Sequence, residues 1–294
     1  MHRVLEHIDQ HLDRTLELRE LAAVAHFSSF HFHRLFSAFM GETLGEYLRR
    51  RRLEIAAMRL AAQPRVPILT VALGVGFGSA EAFARAFKSR FGVSASAWRQ
   101  AQIRQRSNPD QAIRNADQAQ PGRTFDHPIF EQRRKEIPMK VNVIDRAPAK
   151  VAYLRYTGPY GPPVAEFWQR IAAPWMGSHG LFGRARYGIS HDDPGITAPE
   201  KCRYDACVEV APDFVASGPA HVTTIPGGKY ATAEFRGNAG EIEEAWASLL
   251  RDWLPRSGLQ LDARPSFEYY PSDAHYDPKS GSFACQLVIP VMPL

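Results

Sequence analysis

Two stretches of this sequence share one pattern, which predicts the fold of the first half of the chain. They are FSSFHFHRLFSAFMGETLGEYL at residues 27–48 and FGSAEAFARAFKSRFGVSASAW at residues 77–98. At an offset of 51 the matching pairs are Ser28 and Ser79, Phe32 and Phe83, Arg34 and Arg85, Phe36 and Phe87, Gly41 and Gly92, and Tyr47 and Trp98. Just upstream, where Ala22 matches Ala72, the offset is 50. Each unit therefore predicts a helix, a turn, a second helix and a glycine stop, which is a repeated helix-turn-helix.

The second helix of each unit has a face that we expect to meet the major groove of DNA. Aromatic and leucine residues at 3–4 spacing predict its buried stripe: Phe32, Leu35, Phe36 and Phe39 in the first unit, and Phe83, Phe87 and Phe91 in the second. The residues off these stripes are the predicted DNA contacts: Phe30, His33 and Arg34, then Ala80, Glu81, Ala84, Arg85 and Lys88. Arginine pairs with guanine and glutamate accepts from cytosine, while simple exposure is the alternative for His33.

The distribution of charge agrees with a polyanion partner for the first half. The 294 residues carry a formal charge of +5. Residues 1–140 hold 22 Lys and Arg against 14 Asp and Glu, a net charge of +8, whereas residues 141–294 have a net charge of −3. A solvated basic surface without a partner is the alternative.

Composition excludes several other classes of protein. No apolar run approaches the ~20 residues that span a bilayer, and the first residues lack the apolar core of a secretory signal. With three Cys the simplest expectation is a reduced, cytoplasmic protein. We predict no metal site and no cofactor. His7 and His11 are four residues apart but lack a matching ligand cluster, and Gly74, Gly76 and Gly78 do not follow a strand, as a nucleotide fingerprint would.

The second half has a different pattern and predicts a second domain. Residues 107–138 are rich in Gln, Asn, Asp and Arg, which predicts a linker between domains at 1–106 and 139–294. Beyond it, strand patterns bounded by Gly and Pro surround two helical stretches at 163–176 and 239–254, giving an α+β class. KVAYLRYTGPYG and KYATAEFRGNAG each lead into one of these helices, so this domain is predicted to be an internal duplication with a cleft between its repeats.

The first half resembles the AraC/XylS family of transcription regulators over about residues 5–105. The pattern comprises LRELAAVAHFSS, FHFHRLFSAFMGETLGEYLRRRRL and ILTVALGVGFGSAEAFARAFKSRFGVSASAWR. The resemblance implies two helix-turn-helix units joined by a long helix, here 43–62, with recognition helices in successive major grooves. Ser29 and Ala95 stand where the family often has proline. A charge run such as Arg49 to Arg52 is normally a solvated face, but its place after a recognition helix predicts that it contacts phosphates or braces the long helix.

The second half resembles the GyrI-like effector-binding domains over about residues 139–292. The matching segments include KVAYLRYTGPYG, CRYDACVEV, IPGGKYATAEFRG, RPSFEYYPSD and QLVIPV. In this family a cleft between repeats binds lipophilic, often cationic molecules, and an inward Glu in the FE-x-Y strand is the hallmark. That position is Glu268 in this sequence.

Chemistry independently favours a cation at Glu268. A poorly hydrated carboxylate gains from a bound cation, and aromatic faces attract the same cation. We predict that the ligand meets Glu268 and Tyr270, with walls formed by Tyr156, Trp168, Trp175, Tyr187 and Phe235. The alternative for each aromatic is an ordinary core position.

These features together predict a one-component transcription regulator. Its expected partners are double-stranded promoter DNA, a small-molecule effector and RNA polymerase, with activation as the expected outcome and no membrane association. Two alternatives stay open from the resemblance. The second domain could be a small-molecule hydrolase that uses Glu268, or it could sequester a protein such as a topoisomerase. No Ser-His-Asp set or G-x-S-x-G elbow supports ester hydrolysis.

Overall fold

A computed structural model describes residues 1–107, 139–262, 264–277 and 280–293, and these residues form two compact units. The predicted linker at 107–138 lies outside the described residues except for Ser107, which ends a helix. The predicted domain boundaries therefore stay predictions. In the described residues no helix is both long and apolar enough to cross a membrane.

The described part of the first unit is entirely helical. Its helices are α1 His2–Gln10, α2 Leu18–Val24, α3 Ser29–Met40, α4 Leu44–Ala62, α5 Ile68–Leu73, α6 Ala80–Phe91 and α7 Ala95–Ser107. Helix α4 corresponds to the long helix predicted at 43–62. It begins at a capping box, in which Thr43 accepts from the backbone N–H of Glu46 and the Glu46 carboxylate accepts from that of Thr43.

The predicted repeat is present in α2–α3 and α5–α6. Ser28 and Ser79 cap the second helix of each unit through their hydroxyl oxygens, and Gly41 and Gly92 end those helices in the left-handed conformation. Within the turns, His26 has a φ of 58° and its counterpart Gly76 a φ of 84°. The two turns differ in sequence, yet in each the backbone passes through a left-handed residue at the equivalent position.

Aromatic contacts form an equivalent core in each unit. Phe36 lies between Phe32 and Tyr47, with ring centroids 5.7 and 5.5 Å away. In the second unit Phe87 lies between Phe83 and Trp98, at 5.4 and 6.1 Å. Phe91 is half-buried and packs 5.0 Å from Trp98.

Two residues predicted for the first core lie outside it. Leu35 is 44% exposed and Phe39 is 62% exposed, so that prediction was wrong. The equivalent residues of the second unit are Ala86 for Leu35 and Arg90 for Phe39. Ala86 is buried, and Arg90 lies 3.9 Å from Glu54 on α4. On this side of α6, Ala86 is enclosed and Arg90 reaches α4, whereas Leu35 and Phe39 on the same side of α3 face solvent in the described residues. Helical spacing marks a face but does not show whether another helix packs on it.

The arginine run braces α4. Arg50 forms ion pairs with Glu42 and with the fully buried Glu54, at 2.7 and 2.9 Å. Arg51 pairs with Asp9 on α1 at 2.9 Å, and the backbone of the first unit accepts from Arg52. Of the two roles predicted for this run, the structure therefore supports bracing for these three residues, while Arg49 is exposed.

The second unit is an antiparallel sheet with two helices. Its described strands are β1 Val141–Arg146, β2 Ala149–Thr157, β3 Arg186–Ser190, β4 Arg203–Glu209, β5 His221–Ile225, β6 Gly228–Gly237, β7 Leu259–Leu261, β8 Phe267–Tyr270, β9 Tyr276–Asp277 and β10 Ser282–Pro293. The strand order is β1-β6-β10-β8-β3-β4-β2-β5, with β7 and β9 added on β10.

This order shows the internal duplication. Read from its centre outward, one half is β3-β4-β2-β5 and the other is β8-β10-β6-β1. The leading strands are exchanged, since β1 precedes β2 but pairs with β6, and β5 precedes β6 but pairs with β2. The two repeats therefore interlock and meet at the pairing of β3 with β8.

Both repeat helices contain a π-helical turn. Helix α8 covers 162–178 as Pro162–Phe167, a π-helix at Trp168–Ala172, and Ala173–Ser178; α9 covers 242–253 as Ile242–Ala247 and a π-helix at Ser248–Trp253. Ala172 and Met176 of α8 pack on the first repeat, and Leu249 of α9 packs on the second. The helices thus cover the same sheet face, on either side of the central strands.

The turn between α5 and α6 provides a test of this packing. A Cβ at Gly76 would lie 2.2 Å from the carbonyl oxygen of Leu12, and the backbone there is left-handed. We expect Gly76→Ala to destabilise the protein by more than the ~1–2 kcal/mol that a left-handed backbone alone costs an L-residue. Gly92→Ala is the matched control, since Gly92 has a φ of 75° and open space around it. Urea unfolding of the full chain measures both, and equal losses would contradict the steric argument.

Candidate functional site

The structure places all eight predicted DNA contacts at the surface. Phe30, His33 and Arg34 are exposed on α3, as are Ala80, Glu81, Ala84, Arg85 and Lys88 on α6. The buried Phe32 and Phe83 lie on the opposite side of each helix. Each second helix therefore offers a solvent-facing surface of the composition that major-groove readout needs, although direct contact with DNA stays a prediction.

Local contacts involve two of the predicted DNA-contact residues, Arg34 on α3 and Glu81 on α6. The Arg34 guanidinium lies 5.8 Å from the ring centroid of Phe30, within the range of a cation–π contact. On α6, hydrogen bonds from its own backbone N–H and from Ser79, together with the charge of Arg85, hold the pKa of Glu81 below its ordinary value. The charge of Glu81 is therefore retained near the start of α6, where a helix favours an anion.

The second candidate site is centred on Glu268, where the two repeats meet. Cross-strand pairs place Leu154, Ala206, Gly188, Glu268, Leu287 and Ala233 in one row on the sheet face that carries the helices. Glu268 is the one carboxylate in this otherwise apolar row and is 8% exposed. A buried carboxylate in such a row is costly unless its oxygens are satisfied.

Two tyrosines hold one oxygen of this carboxylate. Tyr204 and Tyr270 donate their hydroxyls to Oε2 of Glu268, at 2.8 and 2.9 Å. The indole Nε1 of Trp246 donates to Oε1 at 3.5 Å, which is a long contact. On the other side, Nε1 of Trp168 donates to the Tyr204 hydroxyl at 3.0 Å. The network thus runs from α8 through Tyr204 to Glu268 and reaches α9.

Gly188 makes room for this network. It pairs with Glu268 across the centre of the sheet, and a Cβ there would lie 1.9 Å from the Tyr204 hydroxyl and 2.4 Å from Oε2 of Glu268. Any side chain at this position would displace one of the two groups. We name the group formed by Gly188, Tyr204, Trp168, Trp246, Glu268 and Tyr270 the Glu268 site.

Burial governs the titration of these groups. It raises the pKa of Glu268 above its ordinary value, and the hydrogen bonds from Tyr204, Tyr270 and Trp246 only partly oppose it. The phenol pKa values of Tyr204 and Tyr270 are raised well above normal by burial and by the Glu268 charge. Both tyrosines therefore remain neutral donors, and the site holds one titratable negative charge.

The structure brings two of the predicted aromatics to Glu268 and leaves four elsewhere. Trp168 and Tyr270 belong to the site, with ring centroids 6.0 Å apart. Tyr156 pairs with Tyr204 from the next strand, and Phe235 packs against Phe283, which in turn packs against Tyr270. Trp175 lies further along α8, where its ring packs 4.7 Å from that of His179.

Tyr187 does not fit a wall of the Glu268 site. It pairs with Tyr269, whereas its neighbour Gly188 pairs with Glu268, so Tyr187 lies on the opposite face of the sheet. There it packs against Phe267 and donates to a carboxylate oxygen of Glu209 at 3.2 Å. The alternation of side chains along β3 excludes it from the side that carries the helices.

Sequence reasoning missed Tyr204, Gly188 and Trp246. A signal for Trp246 was present, since the helices align as Glu-x-Trp at 166–168 and 244–246. Both indoles donate into the site. Tyr204 and Gly188 had no comparable signal, because strand register decides their approach to Glu268.

The buried charge gives a prediction about stability. The pKa of Glu268 is higher in the folded protein than in the unfolded chain, so folding favours the protonated carboxyl. This contribution to the free energy of unfolding is complete at acid pH and is lost as the pH rises through the folded-state pKa. We therefore expect Glu268→Gln to raise the Tm at pH 7, with the difference shrinking toward pH 4. The exposed Glu234→Gln on β6 is the matched control and should show no such trend. A lower Tm for Glu268→Gln across this range would contradict the prediction.

Family comparisons match both units. A GyrI-like small molecule binding domain matches residues 139–292, and a helix-turn-helix domain matches residues 21–101. The first match covers more than half of the chain.

The similar proteins match either the second half of this chain or nearly all of it. EcmrR in a solved DNA complex is 14% identical with a TM-score of 0.45, over 95% of this chain and all of that chain. The DNA gyrase inhibitor of Edwardsiella piscicida is 32% identical over 52% of this chain and 98% of its own length. The transcriptional regulator Rob of Salmonella typhimurium is 25% identical over 97% of this chain and 95% of that protein. The chain belongs to the GyrI-like family and is an AraC-type DNA-binding transcription regulator that carries a GyrI-like small-molecule-binding domain.

Proposed function

We propose that a lipophilic cation binds at Glu268 and controls transcription from promoters that α3 and α6 recognise. The observation that carries the proposal is the buried Glu268 carboxylate, which accepts from two tyrosines and one indole but has no ion-pair partner among the described residues. Among the described residues no Lys or Arg forms an ion pair with Glu268, whereas fully buried carboxylates such as Glu54, Asp192 and Asp205 each have one. A ligand cation supplies the missing charge.

The proposal assigns distinct roles to the two units. Helix α3 reads one major groove through Phe30, His33 and Arg34. Helix α6 reads the next groove through its exposed residues Ala80, Glu81, Ala84, Arg85 and Lys88. Phosphate contacts from surrounding Arg and Lys supply salt-dependent affinity. Ligand binding then alters contact with DNA or with RNA polymerase, and activation is the proposed result. The domain boundaries at 106 and 139 belong to the same proposal.

Arginine substitutions test DNA recognition. On a promoter fragment identified by footprinting, we expect Arg34→Ala or Arg85→Ala to weaken specific binding by about 1–3 kcal/mol. The loss should concentrate at the base pair that each residue reads, because a guanine contact is specific to position. The exposed Arg236→Ala, in the second unit, is the matched control for charge removal. Unchanged affinity and unchanged base preference in Arg34→Ala would reject its assigned role.

A second prediction tests the cation site. We expect the full chain to bind a biphenylmethyl ammonium ion more tightly than the neutral biphenylmethyl alcohol, and Glu268→Gln to abolish that difference while DNA affinity stays near normal. Cation affinity should fall as pH decreases through the raised pKa of Glu268, since protonation removes the charge. Equal binding of cation and alcohol by the wild-type protein would contradict the proposal. Turnover of an electrophilic ligand that is lost in Glu268→Gln would favour a hydrolase instead.

A further inference from the structure

The two oxygens of the Glu268 carboxylate are in unequal surroundings. Oε2 accepts two hydroxyls, from Tyr204 and Tyr270, at normal hydrogen-bond distances. Oε1 faces only the Trp246 indole at 3.5 Å, and no closer donor among the described residues reaches it. A carboxylate oxygen can accept about two hydrogen bonds, so Oε1 keeps most of its capacity.

The duplication explains why this capacity stays open. The repeat position that faces Glu268 across the central strands is occupied by Gly188, which supplies neither a donor nor a charge. By the register of the sheet, Cys285 occupies the place in the second repeat that Tyr204 occupies in the first. Only the first repeat therefore provides a phenol from its outer strand, and both phenols that reach the site converge on Oε2.

We propose that the effector is a cation with at least one N–H bond, such as a protonated amine or an amidinium, and that this N–H donates to Oε1 of Glu268. This inference rests on the proposed cation site and specifies its ligand class. Trp246 directs its indole N–H toward Oε1, so it orients the carboxylate beside the bound nitrogen. Trp168 and Tyr270 contact the lipophilic part of the ligand.

A quaternary ammonium meets the same charge but leaves Oε1 without a strong donor. Its methyl groups exclude water from the carboxylate, and an acceptor that is desolvated without a partner is costly. Cation–π attraction is available to both kinds of cation and does not separate them. The N–H bond is therefore the feature by which this site discriminates between ligands of similar size and charge.

The test compares two biphenylmethyl cations that differ by one methyl group. Calorimetry of the full chain would titrate the dimethylammonium ion, which has one N–H, and the trimethylammonium ion, which has none, at a pH where the first is protonated. We expect the dimethylammonium ion to bind about tenfold more tightly or better, in line with one charge-assisted hydrogen bond. Glu268→Gln should weaken both and remove the preference, and Glu234→Gln should keep it.

The possible outcomes distinguish the N–H requirement from the proposed cation site on which it rests. Equal or tighter binding of the trimethylammonium ion, with both ions weakened in Glu268→Gln, would overturn the N–H requirement and leave the cation site intact. Failure of the wild-type protein to bind either ion would overturn the cation site itself. Trp246→Phe keeps an aromatic face but removes the indole donor, and it should preserve or increase the preference. Loss of the preference in this variant would assign it to the indole instead of Oε1.

Discussion

The second unit depends on how a carboxylate is held at the junction of its two repeats. Glu268 lies in an apolar row that crosses the sheet, where a charge is unfavourable without donors. Tyr204 comes from one repeat and Tyr270 from the other, so satisfying the carboxylate requires both halves to be in register. A slip of one residue between β3 and β8 would replace Gly188 by a neighbour with a side chain and close the space that Tyr204 uses.

The first unit uses buried charge in another way. Glu54 is fully buried on α4 and is paired with Arg50, and Arg51 beside it reaches α1. These pairs are satisfied within the protein, so they orient helices and leave no charge for a ligand. Buried ion pairs are weak evidence for stability because desolvation opposes them. The contrast with Glu268 is informative, since a buried glutamate braces a helix in one unit, whereas in the other it has no ion-pair partner among the described residues.

Much of the fold could be predicted from sequence, but less of the site. Offsets of 50 and 51 predicted both helix-turn-helix units, and Ser28, Ser79, Gly41 and Gly92 mark their ends because caps are local chemistry. Exposure of Leu35 and Phe39 was not predictable, since it depends on which helix packs alongside. Glu268 was identified from a short motif. Tyr204 and Gly188 lie next to it because of the strand register, which the order of residues in the sequence does not show directly.

Both units were built by duplication, and their chemistry lies where the copies differ. The copies share caps, aromatic cores, strand order and π-helical turns, so these features maintain the scaffold. At the centre of the sheet, glutamate in one copy faces glycine in the other, and Tyr204 of the first copy corresponds to Cys285 of the second. In the recognition helices, Phe30 and His33 correspond to Glu81 and Ala84. Two identical copies would give a symmetric site with two carboxylates and two identical DNA-reading surfaces. Divergence at these few positions leaves one carboxylate in the site and two recognition surfaces that differ in shape and charge.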